Sequence, residues 1–271
     1  MKTTILLPIS RAKNIEIMMH QISVMNMMGC DVDILVIADS PLVNESNITE
    51  AMKEHSVNSK YKLIGVIKTD LPPVSENNIA QRRRRIADVF NLAKKHIPED
   101  SDLVFCIEDD TLTNYDDFAN LFASYNTFKS VKNSGIKVGI VSGVQVGRWG
   151  YRMIGAWIAN DGKWAPKTEE IKSLETIPYV SNQMYSRVDA TGFYCFIVER
   201  EAFVSSEFYA SDFGPDVNFG LDLRRKGYVH FVDWSVRVGH MIPTGTLYPE
   251  KDTTVVVRYE YEDGKCKRVA P

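Results

Sequence analysis

One short segment limits the choice of fold for this chain more than any other. Leu103–Ile107 (LVFCI) is an uninterrupted apolar run that lies between Asp102 and Glu108. An apolar run of this length is typical of a strand buried on both faces, and such strands occur in parallel sheets that helices cover on both sides. The segment therefore predicts the interior of an α/β sheet.

The rest of the first half supports this fold class, because strand-like and helix-like segments alternate there. Such alternation predicts βαβ units in a mostly parallel central sheet. The predicted strands are Thr4–Ile9, Val32–Ala38 and Tyr61–Ile67, and the predicted helices are Asn14–Met28 and Asn78–Ile97.

Strands outnumber helices in the second half, which predicts a mixed half that completes or covers the sheet. Asp263 and Gly264 predict a hairpin turn, and Gly227 is expected to end the last helix. The predicted helices are Asp116–Lys129 and Val217–Lys226. The predicted strands are Lys137–Val144, Arg152–Ala159, Ala190–Val198, Tyr228–Val238 and Val255–Tyr261.

The composition excludes several classes of protein. The 271 residues include 32 Lys and Arg against 35 Asp and Glu, a formal charge of −3, and 44% are hydrophobic. This excludes a disordered chain and general binding of polyanions through net charge. The four cysteines form no Cys-x-x-Cys pair, and the N-terminal apolar run is too short for a signal peptide or a membrane span. We therefore expect a cytoplasmic protein whose Cys106 and Cys195 are buried, reduced thiols.

Three carboxylates, Glu108, Asp109 and Asp110, directly follow the buried strand. Ligands of open α/β sheets bind beyond the carboxyl ends of the strands, and adjacent carboxylates repel one another unless a cation neutralises them. Oxygen ligands of this kind suit Mg²⁺ or Mn²⁺. In an extended segment, Glu108 and Asp110 would point to one side and Asp109 to the other. The position favours a metal site over a solvated acidic turn.

The basic run Arg82–Arg85 lies inside the helix predicted at 78–97, which Asn78 can cap. The helical period predicts an apolar stripe on this helix, with Arg83 inside it and Arg84 and Arg85 on the solvent side. The members of the stripe are Ile79, Ile86, Phe90, Ala93 and Ile97. A buried guanidinium needs a partner, and an anionic phosphate or an internal carboxylate would satisfy Arg83 equally well.

The second half adds further candidates for a site. Asp216 begins a predicted helix, where a carboxylate is either a cap or, in a cleft, a general base. His240 is either structural or a metal ligand. Gly192 either lets the backbone approach a ligand or marks a bulge. Trp149 and Tyr151, in the segment GRWGYR, are the best candidates for aromatic stacking on a ligand, because glycines and arginines flank them.

From Thr3 to about Ile242, the order of these motifs resembles the glycosyltransferases of the A-type fold, which take sugars from nucleotide donors. That order is more specific than any single motif. The resemblance implies a single-domain α/β fold over 1–271, with a donor-binding half at 1–115, an acceptor-binding half at 116–245 and a C-terminal hairpin or tail at 246–271. The stretches that carry it are ILLPISRAKNIEIMM, VIADSP, NNIAQRRRRIADVFNLAKK, FCIEDDT and GPDVNFGLDLRRKGYVHFVDWSVRVGH.

The resemblance also implies a metal site. Glu108, Asp110 and His240 match the ligands of a Mn²⁺ or Mg²⁺ ion that binds the donor diphosphate, and Asp109 is an adjacent donor contact. The first acid of the motif is Glu here, whereas Asp is usual in the family. Metal chemistry tolerates this change of one methylene group.

Three further roles come from the same resemblance. Asp216 matches the catalytic base of inverting members, Asp39 matches a nucleoside contact, and Arg83 is a contact of the diphosphate or the nucleoside. The Glu-Asp pair that usually precedes the last helix is Pro215-Asp216 here, so one carboxylate of the family pattern is missing.

The implied activity is metal-dependent transfer of a sugar, first of all from a UDP-sugar, to an acceptor hydroxyl. The acceptor stays open between a glycan, a lipid-linked sugar, a protein and a hydroxymethylated base in DNA. Its expected contacts are Trp149, Tyr151 and Gly192, with the two aromatic rings stacking on a sugar or a base. A DNA acceptor would suit a viral member acting in the host cytoplasm, with basic runs such as Arg82–Arg85 and Arg224–Lys226 contacting phosphates. The number of subunits stays open as well.

Three other classes compete with this interpretation. A phosphatase or nuclease with two metals would need more carboxylate and histidine ligands than the sequence offers. A sugar-nucleotide nucleotidyltransferase would need a glycine-rich loop after the first strand, which the segment LPISRAKN lacks. A non-catalytic module that binds carbohydrate or nucleotide would not need four residues together that the sequence offers, namely Glu108, Asp110, Asp216 and His240.

Overall fold

A computed structural model of the chain describes residues 1–72, 74, 78–130, 135–147, 154–159, 173–177, 183–249, 258–262 and 265–269. The helices are α1 (Ile15–Val24), α2 (Glu45–Glu54), α3 (Ile79–Ala93), α4 (Asp117–Ser130), α5 (Arg200–Val204) and α6 (Pro215–Arg225). The strands are β1 (Lys2–Ile9), β2 (Asp31–Ala38), β3 (Lys62–Lys68), β4 (Leu103–Ile107), β5 (Thr111–Leu112), β6 (Lys137–Val144), β7 (Ala156–Ala159), β8 (Ser173–Thr176), β9 (Tyr185–Val188), β10 (Ala190–Thr191), β11 (Cys195–Glu199), β12 (Tyr228–Arg237), β13 (Gly239–Ile242), β14 (Gly245–Leu247), β15 (Arg258–Glu262) and β16 (Lys265–Val269).

The central sheet has eight strands in the order β3-β2-β1-β4-β11-β6-β12-β9. The strands β1 to β4 run parallel to one another, as does the pair β6 and β12, whereas β11 and β9 are antiparallel to their neighbours. The prediction of a mostly parallel sheet with a mixed C-terminal half is therefore confirmed.

Helices cover both faces of this sheet, as the apolar run of β4 predicts. Phe105 and Ile107 pack with residues of α1, α2 and α4 on one face. Val104 and Cys106 point to the other face and pack with residues of α3, α5 and α6. Burial of each such large side chain contributes about 2 kcal/mol to folding. This packing fixes β4, and with it the position of the residues that follow its carboxyl end.

Two smaller antiparallel sheets complete the structure. One has the order β10-β7-β8-β15-β16, and the other has the order β14-β13-β5. The strands β15 and β16 pair with Glu262 opposite Lys265, which confirms the predicted hairpin, although its turn residues lie outside the described residues. The small sheet of β5, β13 and β14 joins the segment after β4 to the segment around His240.

The prediction of one strand over Ala190–Val198 is wrong. The chain leaves the second sheet after β10 and enters the central sheet at β11. Gly192 lies at this crossing, where its amide donates to the carbonyl of Gly155 at 2.7 Å. A Cβ on Gly192 would lie 2.7 Å from Cδ1 of Tyr194, so the lack of a side chain at Gly192 lets the Tyr194 ring pack there.

Helix boundaries follow local signals only in part. Asn78 caps α3 through a hydrogen bond from the Gln81 amide at 3.0 Å, as predicted, and Gly227 with φ of +84° follows the end of α6. The helix predicted to reach Met28 ends at Val24. The stripe predicted for α3 is also wrong at its first member, because Ile79 is 58% exposed.

Two further observations concern the expected location and redox state. No helix within the described part of the chain is long and apolar enough to cross a membrane. Cys106 and Cys195 are buried and free, as predicted. Burial raises the pKa of both thiols well above the usual value, which keeps them protonated.

Candidate active site

The three acidic residues after β4 form a turn, and the expectation of an extended segment is wrong. The amide of Thr111 donates to the carbonyl of Glu108 at 3.0 Å. The chain turns here because Thr111 begins β5, which pairs with β13 in a different sheet. Asp109 and Asp110 are almost fully buried in the turn, and Glu108 is half-buried.

Asp109 fastens this turn to the end of β1. Its Oδ2 accepts from the Ser10 amide at 2.8 Å, the Ser10 hydroxyl at 3.0 Å and the Arg11 amide at 2.7 Å. Its backbone carbonyl accepts from Nδ2 of Asn14 at 2.7 Å. Burial raises the pKa of Asp109, and the Arg11 guanidinium opposes part of this rise. The predicted donor contact is therefore mainly occupied with holding two loops together.

Arg11 is a component of the site that the sequence did not reveal. Its Nη1 donates to Oδ1 of Asp109 and lies 3.3 Å from Oδ2 of Asp110. The residue lies directly after β1, which pairs with β4, so the two strands end side by side. The sequence signal that could have indicated this role is a cationic residue shortly after β1, the strand that runs parallel to β4.

Asp110 and His240 are brought together from distant parts of the chain. His240 lies on β13 and places its Nε2 3.5 Å from Oδ2 of Asp110. Its Nδ1 lies 2.7 Å from the carbonyl of Val146, which can only accept, so Nδ1 carries the proton when the ring is neutral. This second contact leaves the Nε2 lone pair on the side of Asp110. The Met241 amide also donates to the Asp110 carbonyl at 2.7 Å.

The pair fits a divalent metal by its chemistry, since a carboxylate oxygen and an imidazole nitrogen with a fixed tautomer are both ligands of Mn²⁺. No set of three His, Cys, Asp or Glu side chains able to hold a metal is present among the residues described. Glu108, the third predicted ligand, therefore does not close a triad with Asp110 and His240. Mg²⁺ and Mn²⁺ commonly use one or two protein ligands and take the others from phosphates and water.

Asp216 lies in the first turn of α6, as predicted. Burial raises the pKa of this carboxyl, while the amides of Val217 and of Asp216 itself, and more weakly the charge of Arg83, oppose the rise. The carboxylate folds back over Gly214, where a Cβ would lie 2.1 Å from Oδ1 of Asp216. A raised pKa brings a carboxylate closer to the range in which it can accept a proton from a hydroxyl.

Close packing and a buried histidine place α6 relative to the sheet. A Cβ on Gly220 would lie 2.7 Å from Cα of Ala190, so the helix and β10 are in backbone contact there. His230 on β12 bonds to the Gly220 carbonyl at 2.8 Å and accepts from the Ile140 amide at 3.0 Å. The buried pair of Arg224 and Asp189, 3.2 Å apart, ties the last turn of α6 to the segment before β10.

Tyr194 lies between the acidic turn and the start of α6. Its carbonyl accepts from the Glu108 amide at 3.1 Å. Burial raises the pKa of its hydroxyl, and the charge of Asp216 adds a smaller contribution in the same direction. Its hydroxyl donates to the carbonyls of Gly143 and Gly155. Tyr194 is thus bonded to Glu108 through its backbone and lies close enough to Asp216 to respond to its charge.

Arg84 is exposed, as predicted, whereas Arg83 and Arg85 have partners that the sequence did not predict. Arg83 donates to the backbone carbonyls of Ser211 and Asp212 and so supports the loop before α6. Arg85 does not face solvent, because its Nε donates to Oδ2 of Asp39 at 2.6 Å. Thr69 donates to the other oxygen of Asp39 at 2.5 Å. The predicted stripe began at Ile79, which is exposed in the first turn of α3. Arg85 instead neutralises the half-buried Asp39.

The predicted acceptor contacts are described only in part. Gly192 lies at the crossing between the two sheets, against the ring of Tyr194. Trp149 and Tyr151 lie outside the described residues.

Comparison with known proteins gives structural matches only. No protein family and no curated protein matches the chain. The S. aureus TarS fragment 1–349 in complex with UDP-GlcNAc matches with a TM-score of 0.50 and 11% identity, over 86% of this chain and 56% of that one. The mannosyltransferase PcManGT from Pyrobaculum calidifontis, in complex with GDP-Man and Mn²⁺, matches with a TM-score of 0.49 and 14% identity, over 84% of this chain and 53% of that one. A197 from STIV matches with a TM-score of 0.45 and 14% identity, over 98% of this chain and 97% of that one.

The chain thus spans about half the length of the TarS and mannosyltransferase structures. At these identities, the likeness shows the fold. The sheet order, the helices on both faces and the match to TarS establish that this chain has the mixed α/β fold of the A-type glycosyltransferases.

Proposed function

We propose that this chain is a metal-dependent glycosyltransferase that moves a sugar from a nucleoside-diphosphate donor, first of all a UDP-sugar, to an acceptor hydroxyl. The pairing of Oδ2 of Asp110 with Nε2 of His240 at 3.5 Å carries the proposal. The residues lie 130 positions apart in the chain and meet beyond the carboxyl end of β4, where open α/β sheets bind ligands. The TarS match, whose structure holds UDP-GlcNAc, agrees with it.

In this proposal the two carboxylates of the site have different tasks. Asp110 and His240 would hold Mn²⁺ or Mg²⁺, which when bound neutralises the charge that develops on the leaving diphosphate. Asp216 accepts the proton of the acceptor hydroxyl while the acceptor oxygen attacks the anomeric carbon and the bond to the diphosphate breaks. Attack from the face opposite the leaving group inverts the anomeric centre.

The other predicted donor contacts take more specific roles in the same proposal. Asp39, held by Thr69 and Arg85, is the nucleoside contact. Glu108 contacts the donor beside the metal. Asp109 and Arg83 act mainly by holding the loops that carry the site. We treat 1–271 as one domain, because the site draws on both halves of the chain.

A glycan or lipid-linked sugar is the acceptor that the described residues favour. Arg224 is buried against Asp189, and Arg225 and Lys226 both pair with Asp222. Arg85 is likewise engaged, at Asp39. Much of the basic sequence that suggested a DNA acceptor is therefore neutralised within the protein. A DNA acceptor would require salt-sensitive binding to modified duplex.

The test is titration calorimetry of UDP and GDP with and without Mn²⁺. We expect Mn²⁺-dependent binding of one nucleotide, weakened at least about 10-fold by Asp110→Asn and by His240→Gln, because each removes a ligand. Asp100→Asn and His20→Gln are matched controls, since both side chains are exposed and outside the site. Failure of the wild type to bind either nucleotide with Mn²⁺ would contradict the proposal.

A second measurement separates an enzyme from a binding module. Wild-type protein with donor and a panel of acceptors should release nucleoside diphosphate, and Asp216→Asn should bind the nucleotide without releasing product. Equal binding by both proteins without any turnover would indicate a non-catalytic module.

A further inference from the structure

Arg11 is placed at the edge of the Asp110–His240 pair by contacts that leave part of its guanidinium available. Its amide donates to Oδ2 of Asp109, and its Nη1 donates to Oδ1 of the same carboxylate. Asp109 thus accepts hydrogen bonds from both the backbone amide and the guanidinium of Arg11. Asp109 is almost fully buried, whereas the Arg11 side chain keeps 34% of its surface exposed.

The same Nη1 also reaches the proposed metal ligand. It lies 3.3 Å from Oδ2 of Asp110, the oxygen that faces Nε2 of His240. Among the described residues, Nη1 is the only guanidinium nitrogen of Arg11 with a partner. Arginine carries five N–H donors in a planar fork, so Nε and Nη2 keep donors for a ligand at this edge of the pair.

The charge balance at this position also favours an anionic ligand that binds together with a divalent metal. Asp109 and Asp110 carry two negative charges against the one positive charge of Arg11. A divalent metal at Asp110 and His240 would turn this excess into a net positive site. Guanidinium groups bind phosphate oxygens through paired, charge-assisted hydrogen bonds.

We propose that Arg11 is a binding residue for the diphosphate of the donor, and that Asp109 positions it by holding both its amide and its guanidinium. This inference rests on the proposed function and adds a contact to the same site. It gives Asp109 an indirect role in donor binding and makes Arg11 the direct contact.

The experiment compares three ligands in Arg11→Gln, with Lys13→Gln as the control because Lys13 is an exposed cation two positions away. The ligands are Mn²⁺ alone, UDP or GDP with saturating Mn²⁺, and the matching nucleoside, which lacks phosphate. In Arg11→Gln we expect nucleoside-diphosphate affinity to fall about 10- to 100-fold, the range for hydrogen bonds to charged groups. Nucleoside affinity should not change, and Mn²⁺ should bind as well as or better than in the wild type, because a nearby positive charge is gone. Lys13→Gln should match the wild type in all three.

Two further variants separate binding from loop support. Arg11→Lys keeps the charge but loses the fork, and it should retain part of the diphosphate affinity. Asp109→Asn should weaken diphosphate binding less than Arg11→Gln, because Asn still accepts the Arg11 amide but holds the guanidinium less firmly. Thermal melts of each variant show whether the fold is retained.

Three results decide the outcome. Unchanged diphosphate affinity in Arg11→Gln, with loss in Asp110→Asn, would overturn the role of Arg11 and leave the proposed function intact. Equal losses for Mn²⁺ alone and for the diphosphate would reduce Arg11 to a support of the acidic turn, which also overturns it. No nucleotide binding by the wild type would remove the proposed function itself.

Discussion

The turn after β4 and the first turn of α6 each hold an aspartate of the site, but they hold it in different ways. Asp109 accepts three hydrogen bonds at one oxygen, all from the loop after β1. The Asp216 carboxylate is held by the first amides of its own helix, and it occupies the space that a side chain on Gly214 would fill. The acidic turn is therefore redundantly bonded, whereas the start of α6 relies on close packing, and the two regions should respond differently to small changes.

The largest effect is expected at the carboxylate of α6 itself. Asp216→Asn should lower kcat about 10²- to 10⁴-fold, the range for loss of a general base, and leave Mn²⁺-dependent nucleotide affinity unchanged. Steady-state kinetics and calorimetry on the same preparation measure both. Asp212→Asn, an exposed carboxylate four positions earlier, should keep wild-type values. A comparable loss of kcat in the control would remove Asp216 from its role.

The raised pKa of Asp216 also sets the acid limb of the pH profile. As the pH falls through that pKa, the carboxylate takes up a proton and can no longer act as a base. Activity should therefore decline at a higher pH than an ordinary aspartate would give. The profile of kcat from pH 4 to 8 measures this. A decline only near the usual aspartate pKa would show that burial does not govern the group.

The second largest effect is expected from a single methyl group next to this carboxylate. Gly214→Ala places a Cβ 2.1 Å from Oδ1 of Asp216, so the carboxylate must move. We expect kcat to fall about 10- to 100-fold, because misplacing a catalytic group by about 1 Å has this order of effect. Gly65→Ala is the matched control, since the nearest atom to its Cβ would be the flexible tip of Ile67, at 3.3 Å. Wild-type kcat in Gly214→Ala would mean that the position of Asp216 is not critical.

A third effect, on stability, is expected at the histidine beneath α6. His230→Gln keeps a donor for the Gly220 carbonyl but leaves the Ile140 amide without its acceptor, which should cost about 1–3 kcal/mol of unfolding free energy. Urea unfolding at pH 7 measures the loss. His55→Gln, at a surface contact with Glu16, should cost less than about 1 kcal/mol.

The same histidine gives wild-type stability a defined pH dependence. Burial lowers the pKa of His230 to about 4, and the charges of Arg224 and Arg187 act in the same direction. Below about 6.5 the unfolded chain binds a proton that the native histidine does not bind until about pH 4. The stabilising contribution is thus complete above pH 6.5 and is lost as the pH falls towards 4, by up to about 3 kcal/mol. The difference in stability between wild type and His230→Gln should shrink over this range, and a constant difference would contradict the assignment.

The sequence predicted well those strands of the central sheet that are buried on both faces. Leu103–Ile107 and Lys137–Val144, which are buried along almost their whole length, occupy the predicted residues. The prediction for Ala190–Val198 failed because a mostly apolar run does not show that its two ends belong to different sheets. The crossing depends on the pairing of β10 and β11 with different sheets and on the packing of Tyr194 against Gly192 and Gly155.

The candidate site was predictable to the same limited degree. The meeting of Asp110 with His240 followed from the order of motifs, and the structure places them 3.5 Å apart. The roles of Arg11 and Arg85 did not follow, because each depends on a partner from another strand or loop. Helical periodicity assigns a face to an arginine, but it does not reveal that a half-buried carboxylate such as Asp39 lies on the solvent side of that helix.

The smallest effect is expected where the acidic turn is most redundantly bonded. Ser10→Ala removes the 3.0 Å hydrogen bond from the hydroxyl to Asp109 but leaves the amides of Ser10 and Arg11 bonded to the same oxygen. Because Asp109 stays paired and the Ser10 side chain is exposed, the loss should be about 0.5 kcal/mol or less, with nucleotide affinity and kcat unchanged within about 2-fold. Urea unfolding and calorimetry measure both. A loss of kcat as large as that of Gly214→Ala would mean that the turn after β4 is as sensitive to a single atom as the start of α6, and the difference between the two regions would not hold.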